Sequence, residues 1–422
     1  MGYQELTPKE LLHPGHADPE VNDRSWHVRW GDPEATGLRD AAETRQLVLD
    51  FLPPELEFHT SGSTGPSRTW LRSREDAWSE AGMLAEFVSA GPAGPPAAVV
   101  AFAPPLHVYG ALASYLVPAR LGVPVWYRKS YVGAMPQAGH GHTVVVATPW
   151  IFSLLLRNLD WVRSLAHLTV LYSSAMLPAD AHELIERAGP GRVTVVELLG
   201  STETGGIATR SWTGGEPPLW TLFPDVEFDA HPDAPLDARP DAGTETSPGT
   251  ENTDGTDGTA VPLVIRSPRL ARRPAEPRPA HWPTGDLVEP VGPRTFRLVG
   301  RVGRLVKVNG RRINLDESEH ILRAAVRCED LALVAVDDAM TGEQIDLYVV
   351  PADGPDPSGT AARTDLSEVP ALLGVRPRKV HKVPRINRSA TGKLLHTPTA
   401  EPATDHATAS AAGTATTPGS TS

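Results

Sequence analysis

The sequence predicts an α/β protein, a large α/β body followed by a small α+β domain. Three observations carry that expectation. Between residues 97 and 198, short apolar β-prone runs alternate with stretches whose apolar residues recur at helical spacing, the rhythm of a sheet with crossover helices. A Ser/Gly-rich loop at 59–68, H-T-S-G-S-T-G-P-S-R, joins an apolar-leaning run (51–58) to a helical one (73–88). After residue 303 the order becomes strand (304–309), helix (316–326) and two strands (331–337 and 345–350), which marks a second, smaller unit.

Composition narrows the class. At 422 residues there is room for two or three domains and a substantial core. The single cysteine, Cys328, excludes an internal disulfide framework and fits a reducing compartment, so a cytoplasmic location is expected. It lies in a helix-like run, 317–326 and just beyond, and reads as structural. The front shows no secretory pattern, Leu6 stands where a myristoylation site needs Ser or Thr, and no apolar run reaches the about 18 residues of a membrane span. The net charge of −12 is mostly local. Residues 229–260 hold eight acids and one arginine, which leaves the rest only mildly acidic and gives no reason to expect nucleic acid.

In chain order, residues 1–45 are Pro- and Asp-rich with scattered tryptophans and read as a leader with one helix. The large domain is expected over 46–302. In its first loop, Gly62 and Gly65 allow close backbone approach. Thr60, Ser61, Ser63 and Thr64 add hydroxyl donors that can cradle phosphate oxygens beside backbone N–H groups. No Lys-Ser/Thr follows the second glycine, so this is not a Walker loop, and alone it would read as a plain connector. The next helix starts near Ser73, with Asp76 completing a weak capping box. Ala77, Trp78, Ala81, Leu84, Phe87 and Val88 form its core face.

A strand at 97–102 leads into P-P-L-H-V-Y-G at 104–110, and in an open α/β sheet ligands bind at such carboxyl ends. There His107 and Tyr109 either line a pocket or cap the next helix. Helix 111–121, strands 123–127 and 143–147, helix 150–159 and strand 168–172 follow, then Ser173-Ser174-Ala175. Helix 179–188 and strand 193–198 deliver L-G-S-T-E-T-G at 199–205. Glu203 at a strand end is able to share Mg²⁺ with phosphate oxygens. Thr202 is a hydrogen-bond donor for a phosphate or carboxylate oxygen. A lone Thr-Glu would otherwise read as a helix start. Residues 229–260 contain one leucine and no aromatic, and are expected to be a disordered insertion between paired strands at 222–228 and 261–266. Arg266, Arg269, Arg272, Arg273 and Arg278 follow, and read as a solvated basic loop. The tail 397–422 is expected to be disordered.

Five motifs in order resemble those of the AMP-forming adenylating enzymes, the superfamily of acyl- and aryl-CoA ligases, peptide-synthetase adenylation domains and luciferases. They are T-S-G-S-T-G-P-S-R at 60–68, L-G-S-T-E-T-G at 199–205, P-T-G-D at 283–286, G-R-V-G-R-L-V-K-V-N-G-R-R-I at 300–313 with Glu317 and Glu319 after it, and P-R-I-N-R-S-A-T-G-K at 384–393. The resemblance implies the acyl-adenylate-forming fold, truncated at the front, with a mobile α+β lid at 303–396 hinged at Gly303. The chain resembles short stand-alone ligases such as those that load aryl polyene or polyketide starters. The run from Gly205 through Gly206 and Ile207 resembles that type too, which suggests an aromatic acid.

By the same resemblance, Thr60, Ser61, Gly62, Ser63, Thr64 and Gly65 hold ATP phosphates. Ser173, Ser174 and Ala175 border nucleotide and acyl group. Leu199, where relatives often carry an aromatic residue, packs on adenine beside Gly200 and Ser201. His107, Tyr109, Gly110, Ala175, Gly205, Gly206 and Ile207 shape the acid pocket, Asp286 and Arg301 hold ribose, and Thr202, Glu203 (with Mg²⁺) and Lys393 carry catalysis. The implied thiol acceptor is CoA or the phosphopantetheine of an acyl carrier protein. The basic run between residues 376 and 388 suits either, since both are anionic. The rivals are an amino-acid adenylation enzyme, a luciferase-like monooxygenase and a nucleotide-binding homologue without catalysis.

Overall fold

A computed structural model describes residues 2–60, 68–91, 93–130, 133–173, 177–229, 260–302, 304–308, 311–338, 342–352, 365–388 and 394. The front carries β1 (Gln4–Glu5) and β2 (Trp26–Arg29), and β3 (Glu55–Thr60) pairs with β4 (Arg68–Ser73) as a separate hairpin. The centre is β5 (Ala98–Ala101), β6 (Pro124–Tyr127), β7 (His142–Ala147), β8 (His167–Ser173) and β9 (Val193–Ser201). The wing is β10 (Gly205–Trp212), β11 (Trp220–Leu222), β12 (Glu227–Phe228), β13 (Val261–Arg266), β14 (Trp282–Pro290) and β15 (Thr295–Arg301). One sheet takes the order β1-β2-β6-β5-β7-β8-β9-β10-β11-β15-β14-β13-β12. Pairing is parallel from β6 through β9 and antiparallel from β9 to the β12 edge.

Sequence explains the division. The central strands are nearly continuous apolar runs, as strands covered on both faces must be. Val99 and Ala101 face a core with helix Arg74–Ser89, whereas Ala98 and Val100 face helices Pro149–Arg157 and Asp180–Ala188. From β5 the chain steps to β6 on one side, then to β7, β8 and β9 on the other. The strand order therefore reverses between β5 and β7, and the crevice at their carboxyl ends is the switch point where open α/β sheets bind ligands.

Four expectations are corrected. Residues 2–45 are not a leader: β2 pairs with β6, Trp26 is completely buried and stacks on Tyr127 at 5.1 Å. The arginines after β13 are not a solvated loop: Arg269 is buried, Arg266 pairs with Asp229, Arg272 with Glu55 and Arg278 with Asp76. Cys328 opens a strand rather than lying in the helical run, and burial pushes its thiol pKa up. At Ser73 the hydroxyl accepts from the Asp76 amide at 3.0 Å, but the Asp76 carboxylate turns to Arg278 instead of closing the capping box. The flanks of the acidic insertion do pair, Glu227 with Arg266 and Phe228 with Ile265. Residues 230–259 and 395–422, expected to be disordered, lie outside the described residues.

The smaller unit contains the expected strand, helix and two strands, and adds two strands, one before the helix and one at the end. β16 (Leu305–Val308) and β17 (Arg311–Asn314) form a hairpin, and helix Leu315–Ala325 is capped by Asn314, whose side chain accepts from the amides of Asp316 and Glu317. β18 (Cys328–Asp338), β19 (Gly342–Pro351) and β20 (Lys379–Lys382) complete a three-stranded sheet. Leu315 and Leu322 of the helix share a core with Leu331, Leu333, Ile345, Leu347 and Val349.

Candidate functional site

At the switch point the β5 loop supplies His107, which is the N-cap residue of the following helix. Its amide donates to Pro104 O at 3.2 Å and its carbonyl accepts from Ala111 N at 2.8 Å. Burial lowers the His107 pKa, which favours a neutral imidazole at physiological pH. A Cβ on Gly110 would lie 1.9 Å from Pro104 O, so only glycine lets the helix rest on the loop. The Tyr109 hydroxyl reaches Leu171 O at 2.6 Å and Ala147 O at 3.2 Å, bolting together the ends of β7 and β8. Burial raises its pKa well above the phenol range, so it remains a donor. Residues 111–116 then form a π-helical segment, a distortion frequent at functional sites.

The second component is the turn between β9 and β10. Ser201 and Thr204 exchange hydrogen bonds, with Ser201 N donating to Thr204 Oγ1 at 3.1 Å and Thr204 N to Ser201 Oγ at 3.3 Å. Thr204 is completely buried, which leaves Thr202 and Glu203 half-buried at the tip. Ala271 N donates to Glu203 O at 2.7 Å. Gly205 has φ +67°, the left-handed region, and a Cβ on Gly200 would lie 2.2 Å from Gly205 O. Ser173 at the end of β8 donates to Leu198 O at 3.1 Å, and Leu199 packs half-buried on the core. The residues expected in the acid pocket here do other work. Ile207 is a core residue, a Cβ on Gly206 would strike the Phe223 ring at 2.5 Å, and Gly205 abuts Arg72 and Glu80.

The third component lies in the wing. Asp286 and Arg301 are direct cross-strand partners of β14 and β15, and Arg301 Nε donates to Asp286 Oδ1 at 2.8 Å. Thr284 Oγ1 accepts from the Asp286 amide at 3.1 Å, fixing the strand entry. Thr60 and Arg68 are the last paired residues of β3 and β4. Ser61, Gly62, Ser63, Thr64 and Gly65, with Ser174, Ala175, Gly303 and Lys393, lie outside the described residues. Arg388 and Leu394, on either side of Lys393, form an antiparallel bridge, and Arg388 Nε donates to Asp330 Oδ2 at 2.7 Å.

Among the described residues no three His, Cys, Asp or Glu side chains cluster to cage a metal. Glu203 is a single carboxylate at a half-buried tip. That donor set suits Mg²⁺, which binds through one or two carboxylates with phosphate oxygens and water making up the rest.

The switch point also carries groups the sequence reading passed over. Thr148, at the end of β7, has a buried hydroxyl with no partner among the described residues. Trp150, two residues on, is 69% exposed. The apolar helix pattern at 150–159 concealed Trp150, since an aromatic at a helix start reads as core.

Residues 57–231 match the family described as AMP-binding enzyme. An acetyl-coenzyme A synthetase from Rubrobacter xylanophilus is 26% identical over 234 residues, half of this chain and 33% of that protein. A 4-coumarate–CoA ligase from Cereibacter sphaeroides is 32% identical over 171 residues, 40% of this chain and 39% of that protein. ATP-bound MatB from Rhodopseudomonas palustris superposes with a TM-score of 0.57 at 19% identity, over 80% of this chain and 66% of that one. The anthranilate CoA ligase AuaEII, in complex with anthranoyl-AMP, gives 0.56 at 16% identity, over 80% of this chain and 65% of that one. The matched part of this chain thus spans a third to two fifths of these curated relatives' length. Residues 57–231 thus carry the match to the AMP-binding enzyme family, and the fold is similar to that of acyl-adenylate ligases.

Proposed function

We propose that this protein is an AMP-forming acid–thiol ligase: it activates a carboxylic acid with ATP, then passes the acyl group to a thiol. The carrying observation is that the Thr202–Glu203 turn and the Asp286–Arg301 pair are both built from family motifs, and the first lies within the family match. In the first step a carboxylate oxygen bonds to the α-phosphorus as the bond to pyrophosphate breaks, giving acyl-AMP. Thr202 donates to an oxygen at that centre, Asp286 accepts from ribose hydroxyls, and the outer nitrogens of Arg301 face ribose or phosphate. Mg²⁺, held by Glu203, would supply charge neutralisation on the phosphates. Lys393 and the 60–65 loop complete the phosphate environment. A thiolate then attacks the acyl carbon and AMP leaves, with CoA or a carrier-protein phosphopantetheine as the thiol.

The acid is proposed to be aromatic, on the sequence likeness to aryl starter ligases and on the exposed Trp150 beside the β5–β7 crevice. The second reading is a nucleotide-binding homologue without turnover, favoured by Leu199 and by Ser67 and Arg68, which stand where the resembled family's loop usually has proline and lysine. Acid-dependent exchange of pyrophosphate into ATP, run with benzoates, cinnamates, fatty acids and amino acids, decides between them. Exchange with an aromatic class that disappears in Lys393→Ala supports the proposal. Measurable ATP binding with no exchange on any acid supports the second reading.

A further inference from the structure

The arginines after β13 tie together two parts of the nucleotide site that are far apart in sequence. Arg272 and Leu71 exchange backbone hydrogen bonds, Leu71 N to Arg272 O at 2.8 Å and Arg272 N to Leu71 O at 3.0 Å, which docks residues 267–273 on the phosphate-loop hairpin. One residue earlier, Ala271 N donates to Glu203 O at 2.7 Å. Beneath these contacts lies a sealed ionic network. Glu80 Oε2 accepts from Arg72 Nη2 at 2.5 Å and from Arg269 Nη1 at 2.6 Å, and its Oε1 accepts from Gly206 N at 2.6 Å. Arg269 Nη2 donates to Gly206 O at 2.9 Å, and its Nε donates to Asp225 Oδ2 at 2.6 Å. Both backbone groups of Gly206 are thus held by side chains, one from the helix after the hairpin and one from the strap. The four charges balance, and the Arg72, Glu80 and Arg269 side chains are 1–2% exposed.

Such a network is a poor device for stability alone. Arg72 Nε and Nη1 are buried with no partner among the described residues, a desolvation cost that an apolar cluster of the same volume would avoid. What ionic hydrogen bonds supply is direction. A Cβ on Gly205 would lie 2.5 Å from Glu80 Oε2 and 2.6 Å from Arg72 Nη2, so the backbone is seated on the charged groups at van der Waals range. We infer that Arg72, Glu80 and Arg269, with the strap at 267–273, are positioning residues that set the Thr202–Glu203 turn against the phosphate-loop hairpin. This rests on the reading of Glu203 as the metal-bearing carboxylate.

The test compares Glu80→Gln and the milder Asp225→Asn with wild type. Asp225 is partly exposed, and its substitution loosens Arg269 while leaving both Glu80 pairs in place. Three quantities are read: melting temperature, the Mg²⁺ concentration giving half-maximal ATP binding by calorimetry, and acid-dependent pyrophosphate exchange. Outer-shell changes at metal sites typically cost about 10–100-fold, so Glu80→Gln is expected to raise the Mg²⁺ half-saturation by about tenfold and Asp225→Asn by less, with the acid KM unchanged. Variants that melt earlier but keep wild-type Mg²⁺ dependence and exchange per folded molecule overturn the inference. If Glu80→Gln does not fold, Asp225→Asn alone decides on the same criterion. A wild type that binds MgATP but exchanges with no acid sinks the ligase reading, while the calorimetric arm still decides the positioning role. A wild type that binds no ATP overturns both.

Discussion

Two arginine–carboxylate sites in this molecule share their chemistry and differ in burial. In the first, the Arg269 side chain is 1% exposed and all three of its nitrogens are engaged by Glu80, Asp225 and Gly206 O. In the second, Arg301 is 46% exposed and, among the described residues, gives only Nε, to Asp286, which is itself 7% exposed. A guanidinium whose donors are all consumed can only hold structure. One that keeps outer nitrogens at a solvent edge, on a carboxylate fixed by its strand, retains donors for a ligand. The scaffold site and the proposed ribose site differ in how many hydrogen bonds remain unspent.

The largest effect that contrast predicts is on stability. Arg269→Ala leaves Glu80 and Asp225 without their shared cation, and breaking a buried pair in this way costs about 3–5 kcal/mol. Chemical denaturation reads it directly, and a loss below about 1 kcal/mol would show that the network relaxes around the gap. Arg301→Ala should reverse the pattern. Its pair is half in solvent, so stability should change by no more than about 1 kcal/mol. Losing hydrogen bonds between a charged group and bound nucleotide should weaken ATP binding by about 1.5–3 kcal/mol. An Arg301→Ala protein that binds ATP normally would remove the distinction.

Acid sharpens the same comparison. Burial alone would raise the Glu80 pKa, but Arg269 and Arg72 outweigh it and hold the carboxyl below the usual range. A depressed folded pKa contributes stability that is fully present above the unfolded value of about 4.3 and is lost as pH falls below it toward the folded value. Wild type should therefore lose stability steadily on acidification below about pH 4. Glu80→Gln, already less stable at neutral pH, should show a shallower slope there. Equal slopes in denaturant titrations would mean that Glu80 contributes nothing to acid unfolding.

How much of this was legible in the chain follows from where each partner lies. The parallel centre was readable because its strands are apolar on both faces, and the smaller unit because its helix carries its own cap in Asn314. Asp286 and Arg301 were singled out by motif, and their cross-strand register accounts for a separation of fifteen residues. The Arg269 site was read wrongly. Its carboxylate is 189 positions away, on a helix whose neighbouring residues read simply as an amphipathic core face. A run of arginines with no nearby acid looks solvated when the acid arrives only through folding. The front was misread for a related reason: Trp26 finds its cover on β6, about a hundred residues later, so locally it is one tryptophan among prolines and acids.

The smallest predicted effect concerns a side chain with no such cover. Trp26 is 0% and Trp212 5% exposed, whereas Trp150 is 69% exposed at the carboxyl end of β7, beside the point where strand order reverses. Removing it deletes little packing, so Trp150→Ala should leave stability within about 0.5 kcal/mol of wild type. If the acid lies in the β5–β7 crevice, the indole forms part of its rim, and losing one aromatic contact should raise the KM of an aromatic acid by about threefold to tenfold. A fatty acid has no ring to stack, and its KM should move less. Comparing the two acids separates an aromatic pocket from a merely apolar one. An unchanged KM for both would mean that the acid binds away from the crevice, leaving Trp150 open for a role outside the adenylation step.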